Sequence, residues 1–336
     1  MKEPQNLEEF YQVARAFALS DPEGNGPGNT IGFGYTADTG FVTLSVWAGA
    51  GNTWVLKDGS LVPTFATQEF IDRVLNLLRR MYSEKLINQD FATMRGQQVM
   101  DFINAGRSGM YLGAITEITT RFEPIMTRKR RDNPNLTLGD VFTYSGIYTT
   151  PEGDRVAVGS EGFNNLWSFP KSSIRTEAIL KEIIELFVKI DSPEGQNLTR
   201  WGVEGRTFRM NNGLPEIIRN ESYTLDVQVY SHMGLSYQTN PLYTPGLIGA
   251  FEKGQDEYAV ACIPYCLVNL AYPFISETAV AMGADLDNIV KDAQFKYIME
   301  RIDEAEYKAA VNQYMRAGGD RVVREYNDAY HQATRR

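Results

Sequence analysis

Apolar and polar residues follow two periods along this chain, one helical and one of strict alternation, and the chain switches between them repeatedly. After Pro4, Leu7, Phe10, Tyr11, Ala14 and Phe17 recur at helical spacing, with Asn6 placed as N-cap and Glu9 three residues on. "TIGFGYT" predicts a short strand with glycines, and "NTWVLKDGSLVPTF" a hairpin with Asp58-Gly59 at its tip. "TQEFIDRVLNLLRRMYSEKLI" predicts a long amphipathic helix with Phe70, Val74, Leu77, Leu78 and Met81 on one face. "GQQVMDFINAG" reads as a helix closed by Gly106, "SGMYLGA" as a buried strand, and "RVAVGSEGFNNLWSFP" as a strand pair around Gly162. "IRTEAILKEIIELFVKI" is strongly periodic, a shorter helix starts at Pro193, and Ala305 to Thr334 is helical with a break near Gly318-Gly319.

Interleaved helices and strands predict the α/β class, with sheets covered by helices. A chain of 336 residues exceeds one typical domain, so two lobes are expected. No internal repeat, low-complexity segment or Pro/Ser-rich linker is present. Any lobe boundary must therefore come from the chain crossing over.

Composition narrows the function. The chain is 43% hydrophobic and 12% aromatic, as a globular core requires. Its net charge of −9 argues against a nucleic-acid or anionic-membrane surface. The one basic cluster, "TRKRRDNPN" from Thr127, reads as a solvated loop. Cys262 and Cys266 are the only cysteines, which excludes a disulfide framework; buried free thiols and a local disulfide both remain open. No apolar run is long enough to span a bilayer, and "MKEPQNLEEF" has no apolar signal core. The protein is thus either cytoplasmic or exported by a segment this sequence does not contain.

A search for catalytic chemistry yields little. His232 and His331 are too few for a metal cluster or a Ser/His triad, and GxSxG, P-loop and HExxH motifs are absent. Gly49 to Asn52, within "WAGAGNTW", looks like a phosphate cradle but lacks GxGxxG spacing and leads into a hairpin. Glu117, Glu161 and Glu204 are the acids best placed for glycosidase work, although nothing pairs any two of them. The tryptophans say more: Trp47, Trp54, Trp167 and Trp201 all sit beside glycines, asparagines or turns. A Trp there can present its ring to a flat hydroxylated ligand while neighbouring amides meet the hydroxyls.

Five stretches, in order and covering most of the chain, carry a resemblance. They are "EPQNLEEFYQVARAFALSDPEGNGPGNTIGFGYT", "WVLKDGSLVPTFATQEFIDRVLNLLRRMYSEKLINQDFAT", "FINAGRSGMYLGA", "DSPEGQNLTRWGVEGRTFRMNNG" and "YKAAVNQYMRAGGDRVVREYNDAY". Together they resemble the extracellular solute-binding proteins of bacterial ABC importers, in the carbohydrate-binding group. The resemblance implies the two-lobe periplasmic-binding-protein (type 2) α/β architecture, no enzymatic activity, and capture of an oligosaccharide between lobes that close on it. It implies residues 1–215 as a nearly complete second lobe, 216–287 as the returning part of an incomplete first lobe, and 288–336 as C-terminal helices packing back. It further implies a monomer, tethered outside the cell as a lipoprotein and serving a membrane permease. Apolar surface left exposed and weak ligand binding would follow from the incomplete lobe.

By position, the resemblance makes Trp54, Asn164, Asn165, Trp167, Trp201 and Glu204 the ligand-binding candidates. "GAITEI" at Gly113 to Ile118 falls where relatives place cleft groups but offers no aromatic. It also makes "DPEGNGPGNT" an EF-hand-like calcium loop, with Asp21, Glu23 and Asn25 at positions one, three and five, Gly26 for the turn, the Pro27 carbonyl, and Asn29. Two formal charges predict weak affinity, and a hydrogen-bonded loop without metal is the alternative. Against solute capture stand a carbohydrate-active hydrolase, which needs two acids facing each other, and a binding-fold sensor that signals to a membrane partner.

Overall fold

Helix α1 (Leu7–Ser20) begins where the Asn6–Glu9 pair predicts: the Asn6 side-chain carbonyl accepts from Glu9 N at 2.9 Å. Glu9 returns its carboxylate to Gln5 N, one residue before the cap, at 2.8 Å. The computed structural model describes residues 2–20, 22, 24, 26, 28–115, 118, 122–160, 167–211, 214–218, 221–229 and 250–335. Strand β1 (Ile31–Gly34) runs under α1. A Cβ on Gly32 would lie 2.0 Å from the Ala14 carbonyl oxygen, so only glycine lets the helix backbone approach the strand this closely.

The periodicity does not reveal the next element, α2 (Ala37–Trp47). Leu44, Val46 and Trp47 are all buried, so its end is apolar nearly all round and carries no amphipathic stripe. The helix closes in a Schellman turn, with Gly49 N on Val46 O at 3.0 Å, Ala50 N on Ser45 O at 2.8 Å, and Gly49 at φ +71°. Arg73 covers the Ala48 carbonyl at 2.9 Å and is itself held by Glu152 at 2.6 Å. Strands β2 (Trp54–Lys57) and β3 (Ser60–Pro63) form the expected antiparallel hairpin, with Asp58 and Gly59 both at positive φ.

Helix α3 (Gln68–Phe70), capped by Thr67, continues through a π turn (Ile71–Leu75) into α4 (Asn76–Ser83). Phe70, Val74, Leu78 and Met81 are buried as predicted, whereas Leu77 is half-buried. The wider π turn shifts the helical register and brings Ile71 and Leu75 into the core as well. Helix α5 (Gly96–Asn104) is closed by Gly106, and β4 (Ser108–Tyr111) pairs in parallel with β1, half-buried instead of buried. The basic cluster belongs largely to a helix, α6 (Glu123–Asp132), and not to a loop. Two of its three guanidinium groups are spent on backbone: Arg128 on the Asn104 carbonyl, and Arg130 on Leu136 O at 2.9 Å.

After α7 (Leu138–Val141) come β5 (Tyr148–Thr149) and β6 (Arg155–Val158). Residues 161–166, where half of the expected strand pair was read, lie outside the described residues, and Trp167–Pro170 is not a strand. Helices α8 (Glu177–Ile190) and α9 (Pro193–Arg200) follow as predicted, capped by Thr176 and Ser192. They lead to the hairpin β7 (Phe208–Asn211) and β8 (Leu214–Ile217), then α10 (Glu221–Tyr223) with a π turn (Thr224–Gln228). Helix α11 (Ala250–Cys262), β9 (Cys266–Leu267), α12 (Glu277–Ile298), α13 (Glu304–Tyr314) and α14 (Asp320–Thr334) complete the chain. The break between the last two falls at Gly318, whose φ is +144°.

These elements form two compact units, Met1–Phe163 with Tyr258–Arg336, and Asn164–Glu257. The cuts fall at 163/164 and 257/258, whereas the lobe limits read from the sequence were 215 and 287. In the first unit, Phe10, Phe33, Leu44, Trp47, Phe70 and Leu78 share one core with Ala293, Tyr297, Ile298 and Tyr307. A second core joins Trp54 and Leu61 of the hairpin to Leu286, Val290, Tyr314 and Val322. Each of the larger apolar side chains among these adds about 1.5–3 kcal/mol when buried. In the second unit Phe187, Trp201, Thr207 and Val227 are buried, while Ile184, Leu186 and Val188 of α8 are exposed.

Candidate ligand-binding site

The side chain that best meets the expectation of an open aromatic ring is Trp167, 49% exposed. It is braced from behind by Phe187, which α8 carries on its buried side, with ring centroids 4.9 Å apart. Phe169, also exposed, packs on the same Phe187 at 6.1 Å. The segment between the two rings and α8 is turned by Ser173 N and Ile174 N, both donating to Pro170 O. An aromatic pair propped on a helix in this way offers apolar faces to a ligand at small entropic cost, since Trp and Phe have few rotatable bonds. Phe169 was not singled out in the sequence, although its alternation with Trp167 in "WSF" was the available signal.

"TRWGVEG" is a turn built around one hydroxyl. Thr207 Oγ1 donates to Trp201 O at 2.6 Å and accepts from Val203 N at 2.8 Å, and Thr207 is 1% exposed. A Cβ on Gly202 would stand 2.3 Å from that oxygen. The turn sends Trp201 inward, 4% exposed with its ring 6.4 Å from Phe208, and Glu204 outward into solvent.

Trp54 is 8% exposed and meets Tyr326 edge-on at 4.9 Å in the core of the first unit. Trp47, too, is buried. The three candidate tryptophans thus pack on three different rings, and Trp54 belongs to a different unit from Trp167, Trp201 and Glu204. Asn164 and Asn165 lie outside the described residues, as do Glu117, Glu161 and His232.

Of the calcium-loop candidates, Asp21, Glu23, Asn25 and Pro27 also lie outside the described residues. Asn29 is described: its N–H donates to Gly26 O at 3.1 Å and its carbonyl accepts from Arg107 Nε at 3.0 Å. Among the described residues no group of three or more His, Cys, Asp or Glu could hold a metal ion. Cys262 and Cys266 are free thiols, half-buried, and burial raises the pKa of both. Elsewhere in the first unit, a hollow of about 480 Å³ is lined by Tyr11, Arg15, Arg80 and Glu84 among others. Its charges satisfy one another: Glu84 accepts from Tyr11 at 2.6 Å and Arg80 at 3.2 Å, which holds its pKa below the ordinary value.

No known family signature matches the chain. It is 29% identical to lipoprotein LipO of Bacillus subtilis (strain 168) over 97% of its own length. It is 26% identical to the polygalacturonan/rhamnogalacturonan-binding protein YtcQ of the same organism over 99% of its length. The chain spans 65% of the length of each of these relatives. Among solved structures, the alginate-binding protein AlgQ2 without calcium ion aligns with 98% of this chain and 69% of its own, at 18% identity and a TM-score of 0.64. The chain therefore has the fold of the sugar-binding proteins of ABC transporters, as the sequence resemblance implied. Among the described residues no helix is long and apolar enough to cross a membrane.

Proposed function

We propose that this protein is the solute-binding component of an ABC importer, that it captures an oligosaccharide, and that it performs no chemistry on it. The observation that carries this reading is likeness over nearly the whole chain, in sequence to YtcQ and in fold to AlgQ2. YtcQ and AlgQ2 are both named for acidic polysaccharides, which makes oligouronides the first ligand class to test. Of the six candidate contacts, the exposed Trp167 and Glu204 come first, and Trp54 and Trp201 would meet a sugar by a ring edge at most. Asn164 and Asn165 closely precede Trp167 in sequence and supply the amides such a platform needs.

The protein acts outside the cell, membrane-tethered like a lipoprotein and as a monomer, and hands its solute to a membrane permease. The name of LipO supports the tether, and the transporter association of the solved neighbours supports the permease. A first unit made from both ends of the chain supports a layout in which the chain leaves and returns; the lobe limits we propose, 1–215, 216–287 and 288–336, rest on the sequence resemblance. The Asp21–Asn29 loop acts as a weak structural calcium site, a reading supported by the reference to calcium in the description of AlgQ2.

Titrating intrinsic fluorescence with oligogalacturonides, alginate oligomers and neutral oligosaccharides tests the function. A saturable change in emission with the sugar recovered intact supports capture. Shortened sugar chains, or no response to any member of the panel, would overturn it.

A further inference from the structure

The segment that carries the two exposed rings goes on to carry charge of one sign. "WSFPKSSIRT", Trp167 to Thr176, holds Lys171 and Arg175 and no acid, in a chain whose net charge is −9. It lies wholly within the second unit, and both cations are exposed. Among the described residues neither meets an acid, whereas Lys57, Arg73, Lys296 and Lys308 of the first unit each hold one at 2.5–2.7 Å.

The turn keeps these charges close to the rings. Ser173 N and Ile174 N both donate to Pro170 O, at 3.0 and 2.9 Å, so the chain winds once and brings Ile174 back beside Pro170. Arg175 follows directly, and its Nε reaches back to Ser172 O at 3.5 Å. Lys171 is two residues from Phe169, a backbone span of at most about 7 Å. The long stems of Lys and Arg cover such a distance. The same turn opens α8, where Thr176 caps Ile179 N at 3.3 Å. The positive end of the helix dipole adds to the two charges, and Glu177 in the first turn offsets part of it.

A neutral pyranose asks only for apolar contact and hydrogen bonds. A ring bearing a carboxylate also needs cations, to make good the hydration it loses on binding. Two cations held near each other gain in turn from an anion that neutralises both. We propose that the Trp167–Phe169 platform takes a sugar ring bearing a carboxylate, stacked on the exposed indole, with Lys171 and Arg175 meeting its acid group. This rests on the solute-capture reading and deepens it, by giving the selection for charge to two named side chains. Arg175 supplies a planar fork that can take both carboxylate oxygens, and Lys171 a mobile point charge.

The test is a fluorescence titration of the whole chain with an oligogalacturonate, with the methyl ester of the same oligomer, and with a neutral oligosaccharide of equal length. The ester differs from the acid in charge and hardly in shape. The free acid should bind about fivefold more tightly than its ester, or better, the scale of an exposed ion pair. Raising the salt to about 1 M, where the screening length falls to about 3 Å, should erase the difference. The double variant Lys171→Gln with Arg175→Gln should bring the acid down to the affinity of the ester and leave the ester where it was. Both side chains are exposed, so its melting curve should match the wild type. Lys189→Gln, an exposed cation in the last turn of α8, is the control and should change no affinity. Four outcomes overturn the proposal and leave capture standing: acid binding no tighter than ester in the wild type, a preference for the acid that survives the double variant, an equal loss in the control, or binding of the neutral sugar alone. Silence towards every sugar sinks the capture reading, and the proposal with it.

Discussion

Trp47 lies flat on Tyr148, with ring centroids 3.8 Å apart and planes 6° from parallel. The stack ties the end of α2 to β5, and the indole N–H also reaches Gly146 O at 3.3 Å. Burial makes it hard for Tyr148 to ionise, so its hydroxyl stays protonated throughout the working pH range. Trp47→Ala should cost about 3–5 kcal/mol in urea denaturation, and Trp47→Phe markedly less, because the stacking face is partly kept. Equal losses for both would mean that the indole hydrogen bond outweighs the stack.

Glu325 is a second tie, from α14 to the start of α12. Its carboxylate accepts from Ser276 Oγ at 2.5 Å, Thr278 Oγ1 at 2.7 Å and Thr278 N at 3.0 Å. These bonds, the Ser276 hydroxyl first, lower its pKa from 4.5 to about 2. A carboxyl depressed in the folded state stabilises fully above its unfolded value, and that contribution is lost as pH falls from about 4.5 towards 2. Glu325→Gln should therefore melt below the wild type at pH 7, with the gap closing progressively below pH 4.5. A gap independent of pH would show that shape, not charge, is what matters there.

Gly32→Ala should be among the most damaging single-methyl additions. The new carbon would fall 2.0 Å from Ala14 O, a backbone atom that cannot rotate away. A loss of about 3 kcal/mol or more in the denaturation midpoint analysis is expected, as for an overpacked core. A loss below 1 kcal/mol would mean that α1 slides freely on β1.

Of the four tryptophans, only Trp167 is exposed; Trp47, Trp54 and Trp201 are 5%, 8% and 4% exposed. Acrylamide should quench a fraction of the emission that disappears in Trp167→Phe, and the same substitution should abolish any sugar-induced change. Persistence of the sugar response in that variant would shift the contact to another ring.

Calcium should raise the melting temperature only at high concentration, in the millimolar range typical of low-charge extracellular sites, and EDTA should reverse the rise. Asp21→Asn should remove the effect. A melting curve insensitive to the ion would leave the loop as a hydrogen-bonded turn.

Local chemistry made some of this legible in the sequence. Asn6 with Glu9 marks the opening of α1, Asp58-Gly59 marks the hairpin, and Gly318 marks the helix break, because each acts within a few residues. Helix α2 escaped notice because burial on all sides leaves no stripe to count. The first half of the 22-residue α12, before residue 288, escaped for a related reason: Ala279, Ala281, Met282 and Gly283 give little contrast between faces. Proximity to a turn drew attention to Trp54, Trp167 and Trp201, but a turn does not say which way a ring points. The hydroxyl of Thr207 decides that for Trp201, and the hairpin packing on Tyr326 decides it for Trp54.

The shared core of Phe10 and Leu78 with Tyr297 and Tyr307 has a bearing on biosynthesis. A ribosome delivers the early partners long before the late ones, so the nascent chain must wait with greasy half-sites uncovered until its final helices emerge. Chaperone dependence and sensitivity to protease during translation should accordingly be concentrated in this interval.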